Sequence, residues 1–455
     1  MLKTRFEEII KASGLSLSNE IQPEITGEDP IISTKYPIGE VATTALGLTG
    51  LMAEDIWYRR SGIHQKIQIN VRDSVATLLG FGFQKLHSHK FSRGQTHTVG
   101  LYKTADDRWI HIHGGLPHLK RGLLEILKCE DNRKSIKLAV NEWNGEDLEE
   151  EIAKYKFCGV LGRSKDEWAN HPQGKALSKI PVVTISRIET SEPKALNTGN
   201  SPLDGVRVLD LTRILAGPCC GRTLASYGAD VMRISSPHLP SIESFVIETS
   251  HGKRSSFIDL NTEKGRECLK NLIKDADVFV NGYRTGALES RGFGPKELAE
   301  INPNIIYASI NCYGNVQPWI ARKGWEQLAQ TTTGIAYEQQ KADGKPQLIQ
   351  AAATDYTTGY LAAYGIMKAI IKRSEEGGSW HVKTSLCQTA MWLTHLGPTL
   401  DETKASGFGN INEILADIDT EWGRLTYLKP VVHLSETPPK WARPPAPLGF
   451  HEPKW

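Results

Sequence analysis

Pro202-Leu-Asp-Gly-Val-Arg-Val-Leu-Asp-Leu-Thr-Arg-Ile-Leu-Ala-Gly-Pro218 decides the fold. Val206-Arg-Val-Leu-Asp-Leu211 reads as a strand. Ala216-Gly217-Pro218 then opens a helix predicted over 217–227, where Pro218 suits the first turn because its missing N–H would be unpaired anyway. Downstream the rhythm repeats. Strands are predicted over 230–235, 278–280 and 305–310, with an extended segment over 256–260 and a helix over 263–274. Strands alternating with helices at this spacing imply parallel βαβ units, so the fold class is α/β with a doubly wound, mostly parallel sheet. The free N–H groups of the 212–217 turn lie at the carboxyl edge of such a sheet, where ligands bind. A plain strand-to-helix connection would read the same.

Working back from this unit, residues 189–204 are rich in Ser, Pro, Asn and Gly and read as a linker. Residues 99–113 read as a hairpin turning at 105–108, followed by helical patterns over 116–129 and 146–156. Thr43 to Arg60 has helical spacing stopped by Gly62, and Lys66 to Val71 alternates like a strand. Glu40–Leu79 and Asp355–His395 also repeat one another. Displaced by the difference 355 − 40, Thr43 meets Thr358, Gly50 meets Gly365, Ile56 meets Ile371 and Gly62 meets Gly377. Agreement of both glycine breaks and the apolar face favours duplication over chance. Residues 1–37 read as a short helix and an arm. The proline-rich 430–455 reads as a tail lying on something or disordered.

Lys and Arg number 54 against 52 Asp and Glu, a balance that announces neither nucleic acid nor an anionic membrane as partner. Seven cysteines are too few, and odd, for a disulfide framework, and the start at Met1 lacks the order of a secretion signal. No apolar run approaches the roughly 20 residues of a membrane span. The expectation is a cytoplasmic protein. Phosphate-loop, GxGxxG, GxSxG, HExxH and CxxC signatures are absent.

Few residues offer chemistry. His111 and His113 share a strand face and could hold a metal, but a solvated pair at a domain surface is the commoner outcome, so no metal is expected. Cys219-Cys220 stand at a helix start that would stabilise a thiolate, though adjacent cysteines there usually only pack. Asp355 precedes a helix predicted over 356–372. It could simply cap that helix. Alternatively, the dipole keeps it ionised, small neighbours leave room for substrate, and it is a nucleophile for an activated acyl group. From the residues alone both readings stand.

At this point the chain resembles the type III CoA-transferases, the family of formyl-CoA transferase and carnitine-CoA transferase (CaiB/BaiF). The blocks that carry the resemblance are the opening stretch, Tyr227-Gly-Ala-Asp-Val, Gly252-Lys-Arg-Ser with Asp259-Leu and Ala276-Asp-Val-Phe-Val, Gly286-Ala-Leu-Glu with Gly292-Phe, and Ile305 to Gly314. With the Asp355 helix they span about 200–395 in the family's order. The resemblance implies a Rossmann-like sheet domain with a smaller α+β domain. It implies that Asp355 attacks an acyl-CoA to give an aspartyl anhydride, then an aspartyl-CoA thioester that passes CoA to a second carboxylic acid. By the same match Arg213, Ile214, Leu215, Ala216, Ile258 and Tyr283 line the CoA site, and Trp325 and Glu326 form the substrate pocket. Coenzyme A is then a substrate rather than a permanent cofactor, and a homodimer is implied.

The resemblance also divides the chain: 1–37 helix and arm, 38–188 duplicated helix plus small α+β domain, 189–203 linker, 204–400 CoA-binding domain, 401–455 extended arm. Residues 38–180 are similar to the family from its catalytic helix onward, with Glu40 in place of the aspartate; the front copy reads as structural, with Glu40 at most lining the site. Ser235 replaces the family's acid and Gly282 its Asn. A shielding glycine loop is not evident beyond Gly114-Gly115. Two alternatives remain. One is a racemase of α-methylacyl-CoA, opposed because the required histidine falls at Trp325, which has no basic nitrogen. The other is a non-catalytic CoA-binding partner subunit, supported by Ser235 and Gly282.

Overall fold

The computed structural model describes residues 2–15, 21–91 and 96–455. Met1 and the 16–20 portion of the expected arm lie outside the described residues. The centre is a seven-stranded sheet in the order Lys253–Phe257, Asp230–Ser235, Arg207–Leu211, Val278–Asn281, Ile306–Asn311, Ser379–Ser385 and Thr184–Glu189. The first six run parallel and the last antiparallel. Val278-Phe-Val-Asn is buried throughout because helices cover both faces, which is why it reads as an unbroken apolar run. Full burial of each such side chain is worth roughly 1.5–3 kcal/mol.

The helices Ala216–Ser226 and Glu263–Lys274 lie within a residue of expectation. The third strand is Lys253–Phe257, three residues before the extended segment expected over 256–260. Lys253, at its start, is fully buried against Asp210 at 2.6 Å. The edge strand Thr184–Glu189 runs across the expected boundary between 188 and 189, so the chain enters the central sheet before the expected linker begins.

Helices Ile38–Ser61 and Ala353–Glu376 are each 24 residues long and stand 315 positions apart at both ends. They stop at Gly62 and Gly377, both with positive φ (72° and 67°). They pack against each other. Each is followed by a strand and a helix: Ile67–Asn70 and Val71–Thr77 in front, Ser379–Ser385 and Leu386–Leu396 behind. Only the second strand enters the central sheet. The first pairs with Glu24–Thr26 and His433–Leu434.

The predicted hairpin is Val99–Lys103 with Trp109–His113, joined by Gly159–Leu161. Helices Pro117–Leu127, Arg133–Val140 and Gly145–Lys154 cover it, and Tyr102, Ile112, Leu123, Ile136 and Leu148 form its own core. The arm expected to be extended over 401–455 contains a hairpin, Leu415–Thr420 with Gly423–Leu428, that pairs with Lys85–Leu86. Beyond it the tail lies on the body, and the Trp455 indole N–H donates to the Leu272 carbonyl at 2.9 Å. Among the described residues no helix is long and apolar enough to cross a membrane.

Candidate active site

The chain order of the sheet reverses between Arg207–Leu211 and Val278–Asn281, and the loops leaving those two strands open the crevice where α/β sheets bind ligands. In the first loop Ile214 has φ 71°, a left-handed conformation that costs a β-branched residue on the order of 1–3 kcal/mol. The kink starts the helix Ala216–Ser226 so that the Ala216 backbone lies beside the Asp355 carboxyl and acts to lower its pKa. Close approach is secured at Gly359, where a Cβ would lie 2.6 Å from the Ala216 carbonyl oxygen. In the second loop a Cβ on Gly282 would stand 2.9 Å from the Thr212 Cβ. Glycine there, in place of the family's Asn, follows from that crowding.

These loops bound a cavity of about 390 Å³. Arg213, Ile214, Leu215, Ala216, Tyr283, Trp325 and Asp355, all singled out from the sequence, line it together. Ile258 does not; it is buried in the apolar layer with Leu209, Met232 and Leu269. Glu326 is not on the wall either. It sits behind the helix start, where its carboxylate accepts from the N–H groups of Thr354 (3.0 Å) and Asp355 (2.5 Å), the Thr354 hydroxyl and the Gln330 amide. Asp355 is therefore not the cap. Ala352 occupies that position, Asp355 lies in the first turn, and Glu326 satisfies the free N–H groups.

The helix dipole does not govern Asp355 alone. Burial, then the neighbouring Glu326 carboxylate, raise its pKa well above the ordinary value, against the Ala216 N–H, which lowers it. Glu326 is raised by burial too. Glu326 accepts from four donors, an arrangement suited to the ionised member of the pair.

Trp325 stacks on His113 with ring centroids 4.2 Å apart and 19° between planes. His111 and His113 are buried, not solvated as a surface pair, because the helix carrying Thr331 covers the strand; His111 Nδ1 lies 3.0 Å from the Thr331 hydroxyl. Burial pushes their pKa values down to about 3 and about 4, so both are neutral imidazoles. Among the described residues no cluster of three His, Cys, Asp or Glu could hold a metal. Cys219 and Cys220 are wholly buried and their thiol pKa values are pushed up, that of Cys219 to about 11, so no thiolate forms at the helix start.

Sequence reasoning missed the front segment's share of the wall: Leu116, His118, Leu119 and Cys158 face the same cavity as Asp355. It missed Asn311 and Cys312 as well, although the sheet-edge rule that located Arg213 applies equally where Ile306–Asn311 ends. Gly114 and Gly115 are not on the wall; side chains there would strike Thr98 and the His113 ring. Glu40 lies elsewhere, in a front pocket where Arg5 pairs with it at 2.9 Å.

The family model for CoA-transferase family III matches residues 203–410. An acyl-CoA transferase of Gibberella moniliformis is 30% identical over 419 residues, 78% of this chain and 73% of that protein. The chain belongs to CoA-transferase family III. Acetyl-coenzyme A transferase nodX of Hypoxylon pulicicidum is 31% identical over 67% of this chain and 55% of its own length. The formyl-CoA:oxalate CoA-transferase of Escherichia coli is 32% identical over 47% of this chain and 54% of its own. The chain thus spans about half the length of most of these family III relatives. A CaiB/BaiF family protein from Brucella suis, solved as a crystal structure, is 29% identical over 50% of this chain and 65% of that one, with a TM-score of 0.42.

Proposed function

We propose that the protein moves CoA from an acyl-CoA to a carboxylic acid, with Asp355 as the covalent carrier. The observation that carries this is the placement of the Asp355 carboxyl on the wall of a cavity bounded by Arg213–Gly217, Tyr283 and Trp325. Once ionised, an Asp355 oxygen adds to the thioester carbonyl; the C–S bond breaks, and an aspartyl anhydride and CoA thiolate result. The thiolate attacks the Asp355 carbonyl carbon and releases the donor acid, leaving an aspartyl-CoA thioester. The acceptor carboxylate attacks the same carbon and expels the thiolate, which then takes the acceptor's acyl group and returns Asp355. Each step trades one activated acyl bond for another, so the thioester's energy is conserved. No resident cofactor takes part.

The Ala216 N–H is placed to stabilise charge on the Asp355 oxygens as they react. Trp325 and the front segment's Leu116, Leu119 and Cys158 wall off water that would hydrolyse the anhydride. The homodimer that the resemblance implies belongs to the same reading; sedimentation of the active protein tests it. The division at 189–203 and a cytoplasmic location belong to the same reading, the latter supported by seven unpaired cysteines.

The test is peptide mapping after incubation with a panel of acyl-CoAs and a hydroxylamine quench. A hydroxamate on the Asp355 peptide, absent from Asp355→Ala, is expected. Tight CoA binding with no adduct from any donor would sink the proposal. Deuterium uptake at Cα without transfer would replace it with racemase chemistry.

A further inference from the structure

The strands Ile306–Asn311 and Ser379–Ser385 are parallel neighbours whose last paired residues are Asn311 and Ser385. Just beyond that pair the chain places a cysteine on each side, Cys312 and Cys387. The Cys387 N–H donates to the Cys312 carbonyl at 2.9 Å. Ordinary bond lengths then keep the two Cα atoms within about 6.8 Å of each other, inside the span of a disulfide. Next to burial, the Cys387 thiol is the group that raises the Cys312 pKa most, so the side chains converge as well as the backbones.

The two thiols differ in access. Cys312 lines the Asp355 cavity, whereas Cys387 is wholly buried in the first turn of the helix Leu386–Leu396 and is not on the wall. The Cys312 sulfur also holds part of that wall in place. It donates to the Trp325 carbonyl at 3.7 Å, and a Cβ on Gly324 would strike it. A third thiol, Cys158, faces the cavity from the front segment. Its backbone is tied to His113 instead, whose N–H donates to the Cys158 carbonyl at 2.9 Å. The acyl-transfer steps set out above use none of the three.

We propose that Cys312 and Cys387 are an oxidation site which hydrogen peroxide reaches through the Asp355 cavity, and that the disulfide they close slows acyl transfer. The cross-link stands on the geometry of the pair; its effect on transfer, and its protection by CoA, rest on the reading of the cavity as an acyl-CoA site with Asp355 as carrier. The Cys312 sulfur attacks the peroxide O–O bond, giving a sulfenic acid and one water. The Cys387 sulfur then attacks that sulfur, and the hydroxyl leaves with the Cys387 proton as a second water. Two thiols and one peroxide thus become one disulfide and two waters. Closing the bond turns the Cys312 sulfur away from the Trp325 carbonyl, so the wall beside Asp355 loses a tether. Burial holds Cys312 as the thiol at rest, so the reaction is slow and depends on the cavity being empty. A reversible disulfide of this kind is the form expected in a chain whose cysteines are otherwise free.

The test is incubation of the full chain with hydrogen peroxide, with and without saturating CoA, followed by N-ethylmaleimide and peptide mapping without reductant. A Cys312–Cys387 linked peptide is expected, reversed by dithiothreitol and formed about fivefold or more slowly with CoA bound, since access sets the rate. Formation of the hydroxamate-trappable adduct on Asp355 should fall with the cross-linked fraction and return on reduction. Cys387→Ala should give no linked peptide and leave Cys312 to gain oxygen instead. If that variant does not fold, the wild-type map decides alone, because it names both partners of the link. A Cys158–Cys312 peptide, or oxygen on Cys312 of the wild type without a link, overturns the proposal. So does a cross-link that forms at the same rate with CoA bound, or one that leaves adduct formation unchanged. An adduct missing before any oxidation would sink the transfer reading itself. A normal adduct with no cross-link would sink only this proposal.

Discussion

The starts of the two matching 24-residue helices, at Glu40 and at Asp355, are built alike but open onto different surroundings. In both, a second carboxylate from outside the helix accepts the N–H of the acidic residue: Asp29 takes that of Glu40 at 2.8 Å, and Glu326 takes that of Asp355 at 2.5 Å. Burial raises the outer carboxyl in both places, Asp29 to about 7. What differs is the other side. Asp355 opens onto about 390 Å³ of cavity, whereas Glu40 faces about 30 Å³ with Arg5 bound across it. Of the two helix starts, only that at Asp355 gives a substrate room; Glu40 is closed off by Arg5.

The largest effect that would break this comparison is on turnover. Asp355→Ala should abolish the acyl-enzyme and lower transfer by about 10³-fold or more, the scale of losing a covalent nucleophile. Glu40→Ala should leave transfer within about twofold, as substitutions remote from a site do. Parallel assays of the two variants decide it, and comparable losses would mean that the front copy takes part in the chemistry.

A smaller effect concerns pH. The Asp355 pKa is raised by burial and by Glu326, so the reactive carboxylate forms only as pH climbs through that raised value, and the rate of hydroxamate-trappable adduct should rise along this limb. Glu326→Gln removes the like charge, lowers the Asp355 pKa and should move the limb down by about one pH unit or more. An unmoved limb would show that Glu326 does not act on Asp355 electrostatically.

The same shift has a consequence for stability. An acid whose folded pKa lies above its unfolded value binds the proton more tightly when folded. It therefore costs stability as pH rises from the unfolded pKa, about 3.9, through the folded one. Asp355→Asn should melt higher than wild type at neutral pH, with the gain vanishing near pH 4. Thermal melts at several pH values measure this directly, and a gain that persisted at pH 4 would count against the raised pKa.

Most of the sheet was legible because its signals are local. Val278 to Val280 is apolar throughout since both faces are covered, and the Glu263–Lys274 helix carries its own Thr262 cap. Asp355 and the 213–216 turn were legible from the family pattern. Leu116, His118 and Cys158 were not, because their place depends on contacts between segments far apart in sequence that no local period encodes. The buried His111–His113 pair failed for a related reason: the histidines read as solvated until a distant partner, the helix carrying Thr331, is seen to cover them.

The finest test of the comparison lies at Arg5. Its guanidinium holds Glu40 at 2.9 Å and leans towards Glu8 at 3.6 Å, with 36% of its side chain exposed. An ion pair this open to water is screened, so Arg5→Ala should cost only about 0.5 kcal/mol. The charge is not what keeps the front pocket shut. Phe6 and Ile9 of the same helix are buried in the core, Trp392 donates to the Ile9 carbonyl at 2.9 Å, and the Phe6 ring lies 3.0 Å from where a Cβ on Gly47 would stand. Removing Arg5 should therefore leave the helix docked and should not by itself make the front copy reactive. Hydroxamate mapping of Arg5→Ala should find no adduct on the Glu40 peptide. An adduct there would mean that one cation, rather than the packing around it, separates the Glu40 helix start from the proposed nucleophile at Asp355.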